Sequence, residues 1–572
     1  MSKAKLCIES ERVDELPIIL EFSKQMGVAD AIDQVVGQVH GNRTGLSYGR
    51  LAWGLMGAIA TQREHRLNHV EAWSVAHRST LQAAMGEAVG DKDFTDDRLA
   101  DLLWVLGDPE GEVGQALEEK VGQGMVRAYQ LPTEVGRADT TTVSVYHDRE
   151  GSEGLLAFGH SKDHRPDLRQ FVEVLGTLDP AGVPLVTSTL PGNQADDPVY
   201  WPTWQRMERI IGHPQWLFVG DSKLHSAESV ARIHRAGGWF LAPLPLKGHV
   251  PQEVAEWLKQ APRRPTPLRL PDAKGKLRVV GHGFTVERSV SWTDPETGEV
   301  VEVAERVFMV RRTRFRNQQL QDLTRRLERA EAALKAYHAK RTPEPAAFEA
   351  ALQAIVERHR VAEFLSVKVS WKIEHQQKWL GRGRPGPNRA KHDLKYYRAR
   401  VSVRRRTQAL EAFKEQAGWR PYATNAPKER LSLQAAVEKY SGQWQPEHGF
   451  HRIKGGVLKV APIFLRTDRP IGGLLLIVSL VLRLLTLMEF VARRNLAAEG
   501  ATLSGLYAGA PKKATARPTA ERLLAAFAGI TVYTVRIGQR LHCQLSPLTA
   551  LHKRILQYIG LPLSVYTALE TG

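Results

Sequence analysis

The chain has 572 residues, with 79 Lys and Arg against 62 Asp and Glu, a formal net charge of +17 at neutral pH. At roughly 150 residues per domain the length suggests three or four domains, and 42% apolar with 25% charged residues excludes wholesale disorder. Two cysteines, Cys7 and Cys543, exclude a disulfide framework and a thiolate zinc site and fit a reducing, cytoplasmic compartment, while the basic surplus calls for a polyanionic partner.

Residues 1–11 lack the long apolar core of a signal peptide. From Leu16 to about Gln130 the text is helical: Ser47 can cap a run holding Leu51, Leu55 and Ile59, and Thr95 a run with Asp96 and Asp97 in its first turn. This predicts an all-α N-terminal domain over 1–130. Short β-branched runs at 140–146, 184–189 and 216–219, separated by Gly, Pro and Asp clusters, predict strands within 131–250. Two β-rich runs between Leu277 and Arg312, turning at Pro295 to Gly298, predict a hairpin that need not join the first sheet.

Leu320, Leu323, Leu327, Ala330, Leu334 and Tyr337 recur at helical spacing, and after Pro343 and Pro345 the spacing resumes at Phe348, Leu352, Ile355 and His359. An antiparallel helical hairpin packed on itself follows from that pattern. Residues 381–386 satisfy Gly-x-Gly-x-x-Gly, but no apolar strand leads in, and Arg382, Arg384 and Pro385 crowd the turn, so a dinucleotide site is rejected. The run Arg382 to Pro385 instead resembles an AT-hook, an extended segment whose Arg side chains enter the narrow minor groove of A·T-rich DNA. Around it, ten Lys and Arg from Arg382 to Arg406 stand against Asp393 alone, a further signal for DNA contact.

Sheet-like text returns at Tyr422 to Asn425, followed by a long helical run from Ser432 to Lys454 and an apolar helix over 471–494. Twelve uncharged residues, Ile471 to Leu482, end at Arg483, well short of the roughly twenty that a membrane span needs. The expectation is therefore a helix buried in a large core, with no membrane involved. The tail after Ala501 is predicted to be helical, with a loop at Pro511 to Pro518.

Asp139 sits at the mouth of a predicted strand and Asp221 just past another, where α/β sheets expose side chains to ligands. An Asp that caps the next turn is the plain alternative for either alone. A third acid, Glu447, falls on a predicted helix with His451 and Lys454 at i+4 and i+7. Carboxylates from two strands and a helix make a hard-oxygen site for Mg²⁺ or Mn²⁺. Two such ions, about 3.5 to 4 Å apart, activate a water or a 3′ hydroxyl and stabilise the leaving oxygen in in-line attack on a phosphodiester.

With these residues the chain resembles the DDE transposases of bacterial insertion sequences, in the group with a Tyr-Arg-Glu-Lys signature and an insertion before the catalytic Glu. The signature maps to Tyr440, Gln443, Glu447 and Lys454, with Gln443 placing a neutral donor where the family has Arg. Gly159 to Leu168, Pro191 to Asn193 and Phe450 to Gly455 are similar to further segments of the group. The resemblance implies an α/β fold: an RNase H-like catalytic core interrupted by a β-hairpin plus helical-hairpin insertion, behind the all-α N-terminal domain. The core would occupy 131–250 and 420–498, the insertion 251–419 and a helical C-terminal region 499–572.

It further implies Asp139, Asp221 and Glu447 as the catalytic, metal-binding triad for two Mg²⁺ or Mn²⁺ ions. Tyr440, Gln443, Lys454, His451 and Arg452 would contact DNA near the cut, and Arg382 and Arg384 elsewhere. The expected function is a transposase that binds terminal inverted repeats and target DNA as a homodimer. A two-metal nuclease without strand joining and a captured, non-catalytic DNA-binding protein are the alternatives.

Overall fold

A computed structural model describes residues 6–37, 45–108, 110–147, 154–195, 197–272, 275–337, 341–342, 344–382, 384, 386–442, 444–537 and 540–570. Its strands, in chain order, are β1 (Leu6–Arg12), β2 (Val135–Val145), β3 (Arg169–Leu178), β4 (Val183–Pro191), β5 (Leu217–Val219), β6 (Trp239–Pro243), β7 (Thr266–Pro271) and β8 (Leu277–Thr293). They continue with β9 (Val300–Arg312), β10 (Arg341–Thr342), β11 (Leu365–Trp379), β12 (Lys391–Arg405), β13 (Trp419–Thr424), β14 (Thr531–Ile537) and β15 (Arg540–Leu545). The fold is mixed α/β, with one large sheet and many helices.

That sheet has nine strands in the order β4-β3-β2-β5-β6-β13-β9-β8-β7. β2, β3 and β4 form an antiparallel meander, and β5 and β6 run parallel to β2 on its other side. The β8–β9 hairpin does not stand apart. β13 returns after the helical hairpin and pairs antiparallel with both β6 and β9, so the hairpin extends the same sheet. Burial explains the join: Phe308, Met309 and Val310 of β9 and Tyr422 and Ala423 of β13 are all withdrawn from solvent, on both faces of the sheet.

The described residues between 16 and 129 form a series of helices, from Leu16–Gln25 through Glu112–Tyr129. Ser47 caps its helix by accepting from the Arg50 N–H at 3.2 Å, whereas Thr95 makes no side-chain cap. The expected all-α character is broken by β1, which pairs antiparallel with β14 from the far end of the sequence. The C-terminal region departs in the same way, because β14 and β15 form a hairpin there. The helical run Ser432 to Lys454 divides into Leu433–Ser441 and Trp444–Lys454.

The predicted apolar helix is longer than expected, Asp468–Ala498, and forms the central rod of the core. It is long and apolar enough to cross a membrane, yet 89% of its most apolar window is buried by the protein itself. Its two interior charges are matched. Arg483 donates to the Glu118 carboxylate, and Glu489 accepts from Arg452. Glu118, on the helix Glu112–Tyr129, also takes Arg206 and the Thr187 N–H (2.8 Å) of β4, so one buried ion cluster ties the N-terminal helices and the rod to the edge of the sheet.

Candidate active site

Asp139 lies within β2, whose parallel pairing with β5 sets Arg137 opposite Val219. Side chains alternate faces along a strand, so the same register carried two residues on brings Asp139 level with Asp221, beyond the end of β5 and on the same face. The helix Trp444–Lys454 packs on that face. A Cβ on Gly449 would stand 2.9 Å from Leu175 Cδ1, and Leu175 is the cross-strand partner of Asp139. Glu447 is exposed in the first turn of this helix.

The Asp139 carboxyl is pushed up to about 6, chiefly by burial, and repulsion from Asp221 and Glu447 adds to the shift. The Thr140 N–H, 2.8 Å from Asp139 Oδ1, and the Lys162 ammonium oppose it. Lys162 is held there by its own donation to Thr140 O (2.7 Å) and Oγ1 (2.6 Å). Asp221 Oδ1 accepts from the Tyr200 hydroxyl at 2.6 Å and from the Lys223 N–H at 2.9 Å. Sequence reasoning does not single out Tyr200 or Lys162. Lys162 lies within the segment Gly159 to Leu168, so a signal for it exists. Tyr200 has none, because it reaches Asp221 from a separate helix, Tyr200–Ile211.

Arg137, one turn of the pleat before Asp139, is 1% exposed and grips both Asp179 oxygens at 2.6 Å. It also donates to the Lys439 carbonyl at the end of the helix Leu433–Ser441. A side chain at Gly442 would collide with this guanidinium, at 2.6 Å from Nη2. β2 is thereby fastened to the segment that carries Tyr440 and leads to Glu447. The half-buried Tyr440 ring tilts against Tyr422, with centroids 4.7 Å apart. Burial first, with lesser contributions that include Asp221 and Asp139, raises its phenol further above the usual range, so it is a neutral donor. Beside it runs a groove of about 350 Å³ lined by Arg312, Arg314 and Arg420.

The other expected contacts divide. His451 is exposed on the helix of Glu447. Lys454 is turned to Asp163, at 2.7 Å. Arg452 needs correction as a DNA contact: it is 2% exposed, with its guanidinium held by Glu489 and Glu521, and it serves the core. Gln443 lies outside the described residues. Arg382 and Arg384 are exposed at the turn between β11 and β12, in a different sheet from the acids.

Asp139, Asp221 and Glu447 thus share one end of the sheet and feel each other electrostatically. Among the described residues, however, no group of three His, Cys, Asp or Glu is drawn close enough to hold an ion as it stands. The donor set is of the hard-oxygen kind suited to Mg²⁺ or Mn²⁺, which keep several waters and need few protein oxygens. Asp139 and Asp221 fall on one face of the sheet, and Glu447 is the further acid whose charge bears on Asp139.

No protein-family model matches the chain, and no curated protein matches it. Among solved structures, it is similar to a piggyBac transposase synaptic complex with hairpin DNA, at 11% identity and a TM-score of 0.24. The match covers 50% of this chain and 60% of that one, and an overlap so loose carries no weight for function.

Proposed function

We propose that this chain is a DNA transposase of the DDE type from a bacterial insertion sequence, which cuts and joins element ends by metal-dependent phosphoryl transfer. The observation that supports this reading is that Asp139, in β2, and Asp221, two residues past the end of the parallel strand β5, fall level on one face, with a Glu-bearing helix laid over that face. The strand pattern supports it as well: a meander followed by two strands parallel to its first is the arrangement an RNase H-like core requires, and the segment 251–419 interrupts it before Glu447.

In this reading Asp139, Asp221 and Glu447 would hold two Mg²⁺ or Mn²⁺ ions. Bound there, the ions supply an activated water or 3′ hydroxyl and neutralise the leaving oxygen. The chain does the rest. Tyr200 and the Lys223 N–H fix the Asp221 rotamer, the Thr140 N–H fixes Asp139, and Arg137 keeps the Glu447 segment in register with β2. Tyr440 donates a neutral hydrogen bond to the scissile strand, and Gln443 and His451 contact phosphate nearby. Lys454 exchanges Asp163 for backbone phosphate when DNA arrives. Arg382 and Arg384 reach into a minor groove away from the cut, and two protomers synapse two terminal repeats before target DNA is engaged.

The test is incubation of the protein and Mg²⁺ with DNA bearing the element's own inverted repeats and a target plasmid. Joined products are expected. Cleavage without joining would identify a nuclease, and binding without cleavage a non-catalytic DNA-binding protein; either overturns the transposase.

A further inference from the structure

β11 and β12 form an antiparallel ribbon, fifteen residues paired with fifteen, from Leu365 opposite Arg405 to Trp379 opposite Lys391, with the two-residue β10 against β12 at Tyr397 and Arg398. At about 3.4 Å per residue it is roughly 50 Å long. Residues 365–405 hold twelve Lys and Arg against Glu374 and Asp393, a surplus of ten out of the seventeen charges of the whole chain.

The alternation of the strands sorts these charges by face. One face carries Leu365, Val369, Trp371, Ala399 and Val401, which pack on Leu323, Leu327, Phe348 and Leu352 of the helices Thr313–Tyr337 and Pro345–Arg358. The opposite face carries Lys368, Lys372, Lys378, Arg398, Arg400 and Arg404, all exposed. Its one acid is Glu374, which lies 3.4 Å from Arg398. Lys372 stands directly across from Arg398, a like-charge pair for which Glu374 is the one acid on this face.

We infer that this open face is a binding surface for the phosphate backbone of duplex DNA, set apart from the acidic site. The inference rests on the reading of the chain as a protein that acts on DNA, and it deepens that reading by assigning the surface that grips the duplex. A ribbon 50 Å long runs alongside roughly one and a half turns of duplex, at ~3.4 Å per base pair. Two-stranded ribbons fit the major groove, and the three cations that each strand presents on this face meet phosphates without reading bases. The inner half of the other face cannot do this, because the helices occupy it. The arm therefore supplies affinity that is independent of sequence and steeply dependent on salt.

The experiment compares the full chain with the quadruple variant Lys368→Ser, Lys372→Ser, Arg398→Ser and Arg400→Ser. Duplex affinity is measured across a salt series. At about 0.9 per lost phosphate contact, the slope of log K against log salt should become shallower by roughly 3 to 4. A second variant, Lys368→Arg, Lys372→Arg, Arg398→Lys and Arg400→Lys, should keep the original slope, which separates charge from folding. An unchanged slope in the Ser variant overturns the inference, even if the chain still cuts and joins DNA. An arm-dependent slope in a chain that never cuts leaves the arm standing and removes the transposase. A chain that binds no duplex removes both, and arm-dependent binding to vesicles of anionic lipid that exceeds binding to duplex overturns the DNA assignment.

Discussion

β2 and β11 are both long strands, yet they are held in place by different means. β2 is buried on both faces and has neighbours on both edges, so its text is nearly free of charge except where Arg137 and Asp139 have partners or work to do. β11 is buried on one face only, over its inner half, and most residues of its other face are open to water. In the large sheet a charge is costly and local, confined to a few paired positions; on the arm charge is cheap and repeated. The acidic site and the basic surface therefore sit where each sign can be tolerated.

The sharpest way to break this contrast is at the acids. Asp221→Asn should lower strand cleavage by about 10³-fold or more, the several kcal/mol of lost charge stabilisation that a metal ligand represents, while filter binding of DNA stays close to wild type. Normal cutting by this variant would remove Asp221 from the site. Next comes the buried cluster at the sheet edge. Glu118→Ala strands Arg483 and Arg206 without their acid, and the unfolding free energy in urea should fall by about 3 to 5 kcal/mol. A loss below about 1 kcal/mol, the range of exposed pairs, would erase the distinction between sheet and arm.

A third test uses pH. Glu173 of β3 is fully buried, and its carboxyl is pushed up to about 8 by desolvation, with Glu118 adding repulsion, against a Thr189 hydroxyl bond and Arg483. Because the folded state holds this proton more tightly than the unfolded chain, stability is greatest below the ordinary Glu range. It is lost progressively as pH rises towards 8. Glu173→Gln should flatten that decline in melting temperature between pH 5 and 8, and an equally steep decline in the variant would assign it elsewhere. The smallest effect belongs to the arm: a double-mutant cycle on Glu331 and Arg405, both partly exposed with the closest contact at 2.7 Å, should give a coupling below about 1 kcal/mol.

How far the sequence foretells these features depends on how local their causes are. Asp139 and Asp221 are visible because each acid accompanies an apolar strand run, and the helical hairpin is visible because its stripe repeats at helical spacing. β3 escapes notice, since Gln170 and Glu173 interrupt its apolar text and find their partners only in the folded protein. The ribbon escapes for another reason. The alternation Val367, Val369, Trp371 against Lys368, Ser370, Lys372 is a strand signal, but the density of charge around Arg382 draws attention to a loop. Arg452 reads as a DNA contact because its partners, Glu489 and Glu521, lie 37 and 69 residues further on. The place of β13 within the large sheet depends on β6 and β9, which no local pattern reveals.

The pairing of β1 with β14 has a consequence for synthesis on the ribosome. Leu6 and Ile537 face each other across one ladder, so at about 5 to 20 residues per second the first of these strands waits roughly half a minute to two minutes for its mate to emerge. Throughout that interval its edge is a bare template, and a nascent chain stalled or cut short before residue 531 would carry an unsatisfied seam able to recruit a foreign strand.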